Sequence, residues 1–419
     1  MADPIPMEEL RRFLAQQGPF ARLGVAVSGG GDSVAALVLA VDVLGPDAVC
    51  AVTVDHGLRT ESAAEAAQVA WLCGELGVRH STLQWQGPTG GNLQQAARQA
   101  RLDLIGAWAQ GRVGAGILAH TRDDQAETVL MRLARGSGVD GLAAMADVRD
   151  ASGVTWLRPF LETPREALRD VLRGRGVSWV EDPSNSDPRF QRVRAREALA
   201  VLATLGIDAQ TLTDTAHHMR RARTALEHTT GAALLAHTRD EAGTVVIAKA
   251  ALMLDPEIRD RLFAHLLMAL SGAWHRPRLD ALQRLIAERG TLMGCVLVDE
   301  GAHLRLYREA WAVADLCTPV DALWDGRWQA TGPATGPATG REVIRALGAS
   351  GLAQLSLQAN SGQHRHWRET GFTSSILAAM PSIWIDNTLI SAPLAFWPQK
   401  WHIFARPVAA HGNGFELSH

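Results

Sequence analysis

The run Ser28-Gly29-Gly30-Gly31-Asp32-Ser33 carries the clearest chemical signal in the sequence. Glycines admit positive φ and let backbone amides approach an anion closely, and a helix opening behind them adds unpaired N–H donors and the positive end of its dipole. Ser28 and Ser33 offer hydroxyls, and Asp32 offers a carboxylate for a magnesium ion held against phosphates. The run has neither the lysine of a GxxxxGK[ST] loop nor the glycine order of a GxGxxG dinucleotide turn. The expected ligand is the pyrophosphate part of ATP, with ATP and Mg²⁺ as cofactors.

Two further polar clusters follow apolar runs. Asp55-His56-Gly57-Leu58-Arg59 comes after Val49–Val54, and His120-Thr121-Arg122-Asp123-Asp124-Gln125-Ala126-Glu127 comes after Gly116–Ala119. A lone Asp or His after a strand is more often a turn or cap residue, but three clusters brought to one crevice are better read as a ligand site. Asp55, His56, Arg59 and His120 are accordingly expected beside ATP. Asn92, Gln95, Arg98 and Arg101 recur every three residues, near one face of a helix close to its start. Two arginines there suit phosphate or developing negative charge. From Arg158 to Arg196 the chain is arginine-rich, with Asp182 and Asn185 in a Pro/Asx turn followed by Arg189, Arg192, Arg194 and Arg196. That stripe suits single-stranded RNA better than duplex readout, with a solvated helix face as the plain alternative.

The elements that must position these groups alternate. Apolar runs at Leu23–Val27 and Val49–Val54 and strand-like stretches at Arg79–Trp85 and Gly116–Ala119 are separated by helical stretches at Ser33–Leu44, from Ser62 with a Ser62-x-x-Glu65 capping box, Asn92–Gly111 and Asp124–Arg135. This predicts βαβ units and an α/β fold with a doubly wound parallel sheet. Thr163-Pro164-Arg165-Glu166 reads as a helix start with a threonine cap. Asp208 to about His237 reads as a helical connector, Ala251–Gly290 as helical and Thr291–Asp315 as β, with Asp299-Glu300-Gly301 as a hairpin turn. TGPATGPATG at 331–340 reads as an extended loop, and the remainder as a small mixed α/β domain. The expected division is 1–205, a catalytic ATP-binding domain; 206–320, a mainly helical domain; and 321–419, a small C-terminal domain.

The chain has 419 residues, 47% of them hydrophobic and 20% charged, which fits two or three globular domains. Its N-terminal segment carries acids and no apolar core, and no run approaches the roughly 18 apolar residues of a membrane span, so a cytoplasmic protein with no membrane partner is expected. Cys50, Cys73, Cys295 and Cys317 are scattered, which argues against a zinc ribbon, an iron–sulfur run or a CxxC redox site. Lysine occurs only at Lys249 and Lys400, so phosphate contacts fall to arginine forks and backbone amides.

The glycine loop resembles that of the PP-loop ATP pyrophosphatases. The wider set is similar to the bacterial tRNA(Ile)-lysidine synthase family: Val54–Arg59, Asn92–Arg101, Asp123–Leu142, Arg158–Leu161 and Glu181–Asp187 occur in that family's order over about the first 200 residues. Three positions depart from its pattern: Thr121 stands for a histidine, Leu102 for a tyrosine and Val193 for an asparagine. The resemblance implies a ligase that joins free lysine to C2 of the wobble cytidine of an isoleucine tRNA with a CAU anticodon. The route is an adenylated cytidine, with pyrophosphate and then AMP released. It implies Asp32 and Arg101 at the phosphates, with a catalytic carboxylate cluster at Asp123, Asp124 and Glu127. Arg98, Asp123, Glu127, Arg135, Asp182, Asn185, Arg192 and Arg194 would hold the substrates, and the segments after residue 210 would grip the tRNA body. Whether two copies form a homodimer is left open. A PP-loop thiolase is disfavoured by the unpaired cysteines, an amidotransferase by the lack of an amidase motif, and a degenerate tRNA binder by the intact loop.

Overall fold

The computed structural model describes residues 5–55, 57, 62–85, 102–181, 189, 191–332, 341–359 and 365–408. The chain divides into two compact units, Met1–Arg223 and Thr224–His419, and the division falls within one long helix, Ala209–His237.

The first unit is built on a six-stranded sheet in the order β3-β2-β1-β4-β6-β5. These strands are β1 (Leu23–Ala26), β2 (Val49–Asp55), β3 (Arg79–Gln84), β4 (Ala115–Ile117), β5 (Val148–Ala151) and β6 (Val154–Leu157). All pairings are parallel except β5 with β6. This confirms the doubly wound α/β expectation, and the β5–β6 hairpin is an addition the sequence did not announce.

Helices α1 (Ile5–Gln17), α2 (Gly31–Leu44), α3 (Ser62–Glu75) and α7 (Arg165–Gly174) cover one face of the sheet. Nearly every residue of α2 from Val34 to Ala40 is buried, because the helix is wedged against β1 and β2 and covered by Leu10 and Leu14 of α1 and by Leu168, Val171 and Leu172 of α7. A fully buried leucine or valine contributes roughly 1.5–3 kcal/mol, so this sandwich fixes the direction of α2 firmly. The other face holds Ala26, Cys50 and Val52 against Ile105, Trp108 and Ala109 of α4, whose described part spans 102–109. Next come α5 (Arg122–Leu133), the short α6 (Val139–Leu142) and, beyond α7, α8 (Gln191–Leu202) and α9 (Ala209–His237).

Two predicted helix starts differ in detail. Thr163 does not cap α7: its hydroxyl donates to Glu9, Pro164 takes the cap position, and the Arg165 amide finds its acceptor in the Asp123 carboxylate instead. Ser62 likewise turns its hydroxyl to Asp55 Oδ1, at 2.6 Å.

The second unit joins antiparallel sheets to helices. The strands β7 (Thr238–Glu241), β8 (Thr244–Ala248), β9 (Gly290–Leu292), β10 (Cys295–Asp299) and β11 (His303–Arg308) form a sheet in the order β7-β8-β11-β10-β9. It packs on α10 (Pro256–Ser271) and α11 (Leu279–Glu288) around Phe263, Leu266, Leu285, Leu297 and Leu306. In the predicted turn, Asp299 Oδ1 accepts the Gly301 amide at 2.9 Å, and Gly301 takes the positive φ, +81°, that the turn requires. The C-terminal part has β12 (Cys317–Pro319), β14 (Val343–Ala346), β15 (Pro381–Ile385) and β16 (Thr388–Ser391) in one sheet, in that order. A ribbon of β13 (Trp328–Thr331) with β17 (His402–Ala405), α12 (Gly348–Ala359) and α13 (Ser374–Ala378) complete it. The tryptophans Trp324, Trp328, Trp384 and Trp401 are packed into its core. Among the described residues no helix is long and apolar enough to cross a membrane.

Candidate active site

The strand order of the first unit reverses between β1 and β4, and a doubly wound sheet opens its ligand crevice at such a switch point, beyond the carboxyl ends of the strands. The glycine loop leaves β1 there and the 120–127 segment leaves β4 there.

The glycine loop is held from within and from one side. Gly29 has φ +88°, a conformation that glycine adopts freely. The Ser28 amide donates to Ser33 Oγ (3.1 Å), and Ser33 Oγ donates to the Gly30 carbonyl (2.8 Å). Gly30 caps α2 with no side-chain partner for the helix's first amides, which leaves them to an anion. From the side, the Val180 amide donates to the Gly29 carbonyl at 2.9 Å. A Cβ on Gly31 would meet the Trp179 ring at 3.3 Å. The segment Trp179–Val180 therefore presses directly on the loop.

Thr121 begins α5 with a full capping box: its hydroxyl accepts the Asp124 amide (3.4 Å), and Asp124 Oδ2 accepts the Thr121 amide (2.9 Å). The departure at Thr121 thus has a structural use. The other oxygen, Asp124 Oδ1, meets Arg165 Nη2 at 3.0 Å. Burial pushes the Asp124 carboxyl up, but Arg165, with His120 and Arg192 beyond it, holds it below the usual range. Glu127, one turn on and 1% exposed, pairs through Oε1 with Arg196 Nη2 (2.9 Å) and Arg165 Nη1 (3.5 Å). Its Oε2 is buried and has no partner among the described residues. Asp32 reaches the same cluster, its Oδ2 lying 3.1 Å from Arg165 Nε. Burial pushes its carboxyl up, against the pull of Arg165, and its Oδ1 is buried with no partner among the described residues.

The expected residues therefore sort unevenly. Ser28–Ser33, Asp124 and Glu127 line the two facing helix starts, and His120 lies near Asp124. Asp123 spends Oδ2 on the Arg165 amide at 2.8 Å. Asp55 shapes its own turn, accepting the Gly57 amide at 2.9 Å. Arg135 pairs with Gln191, and Arg194 lies exposed on α8, while Arg192 is near enough to Asp124 to influence it. His56, Arg59, Arg98, Arg101, Asp182 and Asn185 lie outside the described residues. Arg165 was missed as a site residue. It was read only as part of a helix start, and nothing in its own segment signals the carboxylates it meets.

Among the described residues, no group of three or more His, Cys, Asp or Glu side chains is arranged to hold a metal by itself. The open Asp32 Oδ1 fits the mode in which Mg²⁺ takes one carboxylate and completes its shell with phosphates and water.

A PP-loop domain model matches residues 5–202. A tRNA(Ile)-lysidine synthase of Ruegeria pomeroyi is 46% identical over 405 residues, covering 94% of this chain and 93% of that one. The enzyme of the same name from Rhodopseudomonas palustris is 43% identical over 297 residues, covering 68% of this chain and 84% of that one. With the glycine loop and the acidic helix start facing each other across the switch point, this chain belongs to the tRNA(Ile)-lysidine synthase family and carries its ATP-using PP-loop domain.

Proposed function

We propose that the protein joins free lysine to C2 of the wobble cytidine of an isoleucine tRNA with a CAU anticodon, consuming ATP. One observation carries the reading: an anion-ready loop, Gly29–Ser33, shares a crevice with a carboxylate cluster that its two arginines do not saturate. The first feature suits a leaving pyrophosphate and the second suits an incoming ammonium.

In the first step the cytidine C2 oxygen attacks the α-phosphate, and pyrophosphate departs into the free amides at the start of α2. Asp32 would hold Mg²⁺ through Oδ1, and the ion, when bound, spreads the charge of the phosphates. In the second step the ε-amine of lysine attacks C2, AMP leaves, and the amine gives up its proton. Glu127 is the group best suited to receive that proton, because its Oε2 is open, whereas Asp124 is tied into a capping box and Asp123 caps α7. Arg98 and Arg101 are proposed at the α-phosphate, and Asp182, Asn185, Arg192 and Arg194 at the anticodon loop. The chain beyond residue 205 is proposed to hold the tRNA body by shape and phosphate contacts.

The test is pyrophosphate release from ATP with free lysine and an isoleucine tRNA bearing CAU, using methionine tRNA with the same anticodon as control. Lysine-dependent turnover on the isoleucine tRNA alone is expected. Turnover that ignores lysine would refute the acceptor, and no turnover on any RNA would refute the reaction.

A further inference from the structure

Arg165 is the first residue of α7, and its guanidinium divides itself among carboxylates from two different elements. Its Nε lies 3.1 Å from Asp32 Oδ2 at the start of α2. Its Nη2 and Nη1 lie 3.0 Å from Asp124 Oδ1 and 3.5 Å from Glu127 Oε1, both on α5. The backbone is fixed as well, since its amide donates to Asp123 Oδ2 at 2.8 Å. The side chain is 15% exposed, so these contacts are only partly screened by water.

A guanidinium is a rigid fork that matches one carboxylate in a bidentate grip. Here each of its three nitrogens serves a different carboxylate, and none is gripped by two nitrogens. Among the described residues, Asp32 Oδ1 and Glu127 Oε2 have no partner in the buried interior. Such an arrangement holds together while it is the best available, but it is poorly matched against a new charge on either side. A triphosphate seated on the glycine loop places anions on the Asp32 side. An ammonium entering at Glu127 places a cation on the other.

Resting on the lysine-ligating reading above, we propose that Arg165 is a positioning residue that couples the two pockets. Phosphates on the loop draw its guanidinium toward α2, and Asp124 and Glu127 are thereby opened to the lysine ammonium. Nucleotide would then bind first and lysine second, and by thermodynamic reciprocity lysine would tighten nucleotide binding by the same factor. The order has a chemical use, since lysine admitted before ATP has nothing to attack. A purely structural bolt between α7 and α5 would behave differently. Its loss would weaken lysine binding equally with and without nucleotide.

The experiment is calorimetric titration of the full-length protein with L-lysine, in the presence and absence of α,β-methylene-ATP, which cannot release pyrophosphate. In the wild type the nucleotide analogue is expected to tighten lysine binding by about tenfold, a typical coupling between sites. In Arg165→Met, which keeps the apolar stem, the two affinities are expected to converge at the tighter value. A wild-type ratio near one, a ratio that survives in the variant, or convergence at the weaker value would each overturn the proposal. Should the variant fail to fold, the wild-type Arg165 Nε resonance, assigned by its loss in Arg165→Lys, must move when the analogue is added, and an unmoved resonance overturns it. If the wild type binds no lysine in either state, the acceptor reading falls by itself, and the same resonance still decides whether nucleotide draws the guanidinium.

Discussion

Each unit of the chain buries arginine against carboxylate, and the two do it in opposite ways. In the second unit Arg308 grips Asp325 with two parallel bonds, Nε to Oδ2 at 2.9 Å and Nη2 to Oδ1 at 3.0 Å. Its remaining Nη1 donates to the Gly294 carbonyl at 2.9 Å. Burial pushes the Asp325 carboxyl up and Arg308 pulls it back, with both oxygens answered. In the first unit Arg165 is shared among Asp32, Asp124 and Glu127, and two of their carboxylate oxygens have no partner among the described residues. A closed pair holds a fold; an open cluster leaves its last contacts to a ligand. The number of answered oxygens separates the two uses more clearly than burial does, because both groups are largely inside.

Breaking the closed pair should give the largest effect on stability. Asp325→Asn keeps a residue type that tolerates the positive φ of 49° at this position but leaves Arg308 charged and buried. A loss of roughly 3–5 kcal/mol in urea unfolding is expected, with lysine and ATP kinetics per folded molecule unchanged. A loss below about 1 kcal/mol would mean that the pair is not what holds this region.

The open cluster should respond the other way. Glu127→Gln keeps the shape and removes the group proposed to take the proton, so the lysine-dependent rate should fall by about 100-fold or more. Stability should change by no more than about 1 kcal/mol, because Arg196 is 44% exposed and can turn to water, while Arg165 keeps Asp32 and Asp124 as partners. Pre-steady-state kinetics at saturating lysine would measure the rate, and an unchanged rate would remove Glu127 from the chemistry.

What could be read in advance follows the same division. The sequence located β1 to β4 to within two residues: β1, β2 and β4 are largely buried and mostly small or branched apolar residues, whereas β3, Arg79–Gln84, is polar and at most half-buried. The β5–β6 hairpin escaped because β5 is a four-residue edge strand, Val148–Ala151, carrying Arg149 and Asp150. Asp124 and Glu127 were legible from their spacing on one helix. Arg165 was not, because its partners lie 133, 41 and 38 positions away in the chain, and only packing decides who meets whom. Thr163 failed as a cap for the same reason, since its hydroxyl is claimed by Glu9, 154 positions earlier. Motifs within one segment are visible in sequence, and ion pairs between segments are not.

The mildest probe of the comparison is thiol reactivity, because it reports the opening of each unit separately. Cys317 is exposed, whereas Cys50, Cys73 and Cys295 are buried. Burial pushes the Cys73 and Cys295 thiols up to about 11. At pH 8 only about one molecule in a thousand then carries either thiolate, and access is closed as well. A disulfide reagent should label one thiol per native chain quickly and the other three only as the protein opens. Cys295 Sγ lies 4.0 Å from Arg308 Nη1, beside the closed pair, and Cys73 lies in the core of the first unit. Asp325→Asn should therefore accelerate labelling of Cys295 and leave Cys73 at its native rate. Equal acceleration of both would mean that the two units open together, and that the closed pair stabilises the whole chain rather than the unit that contains it.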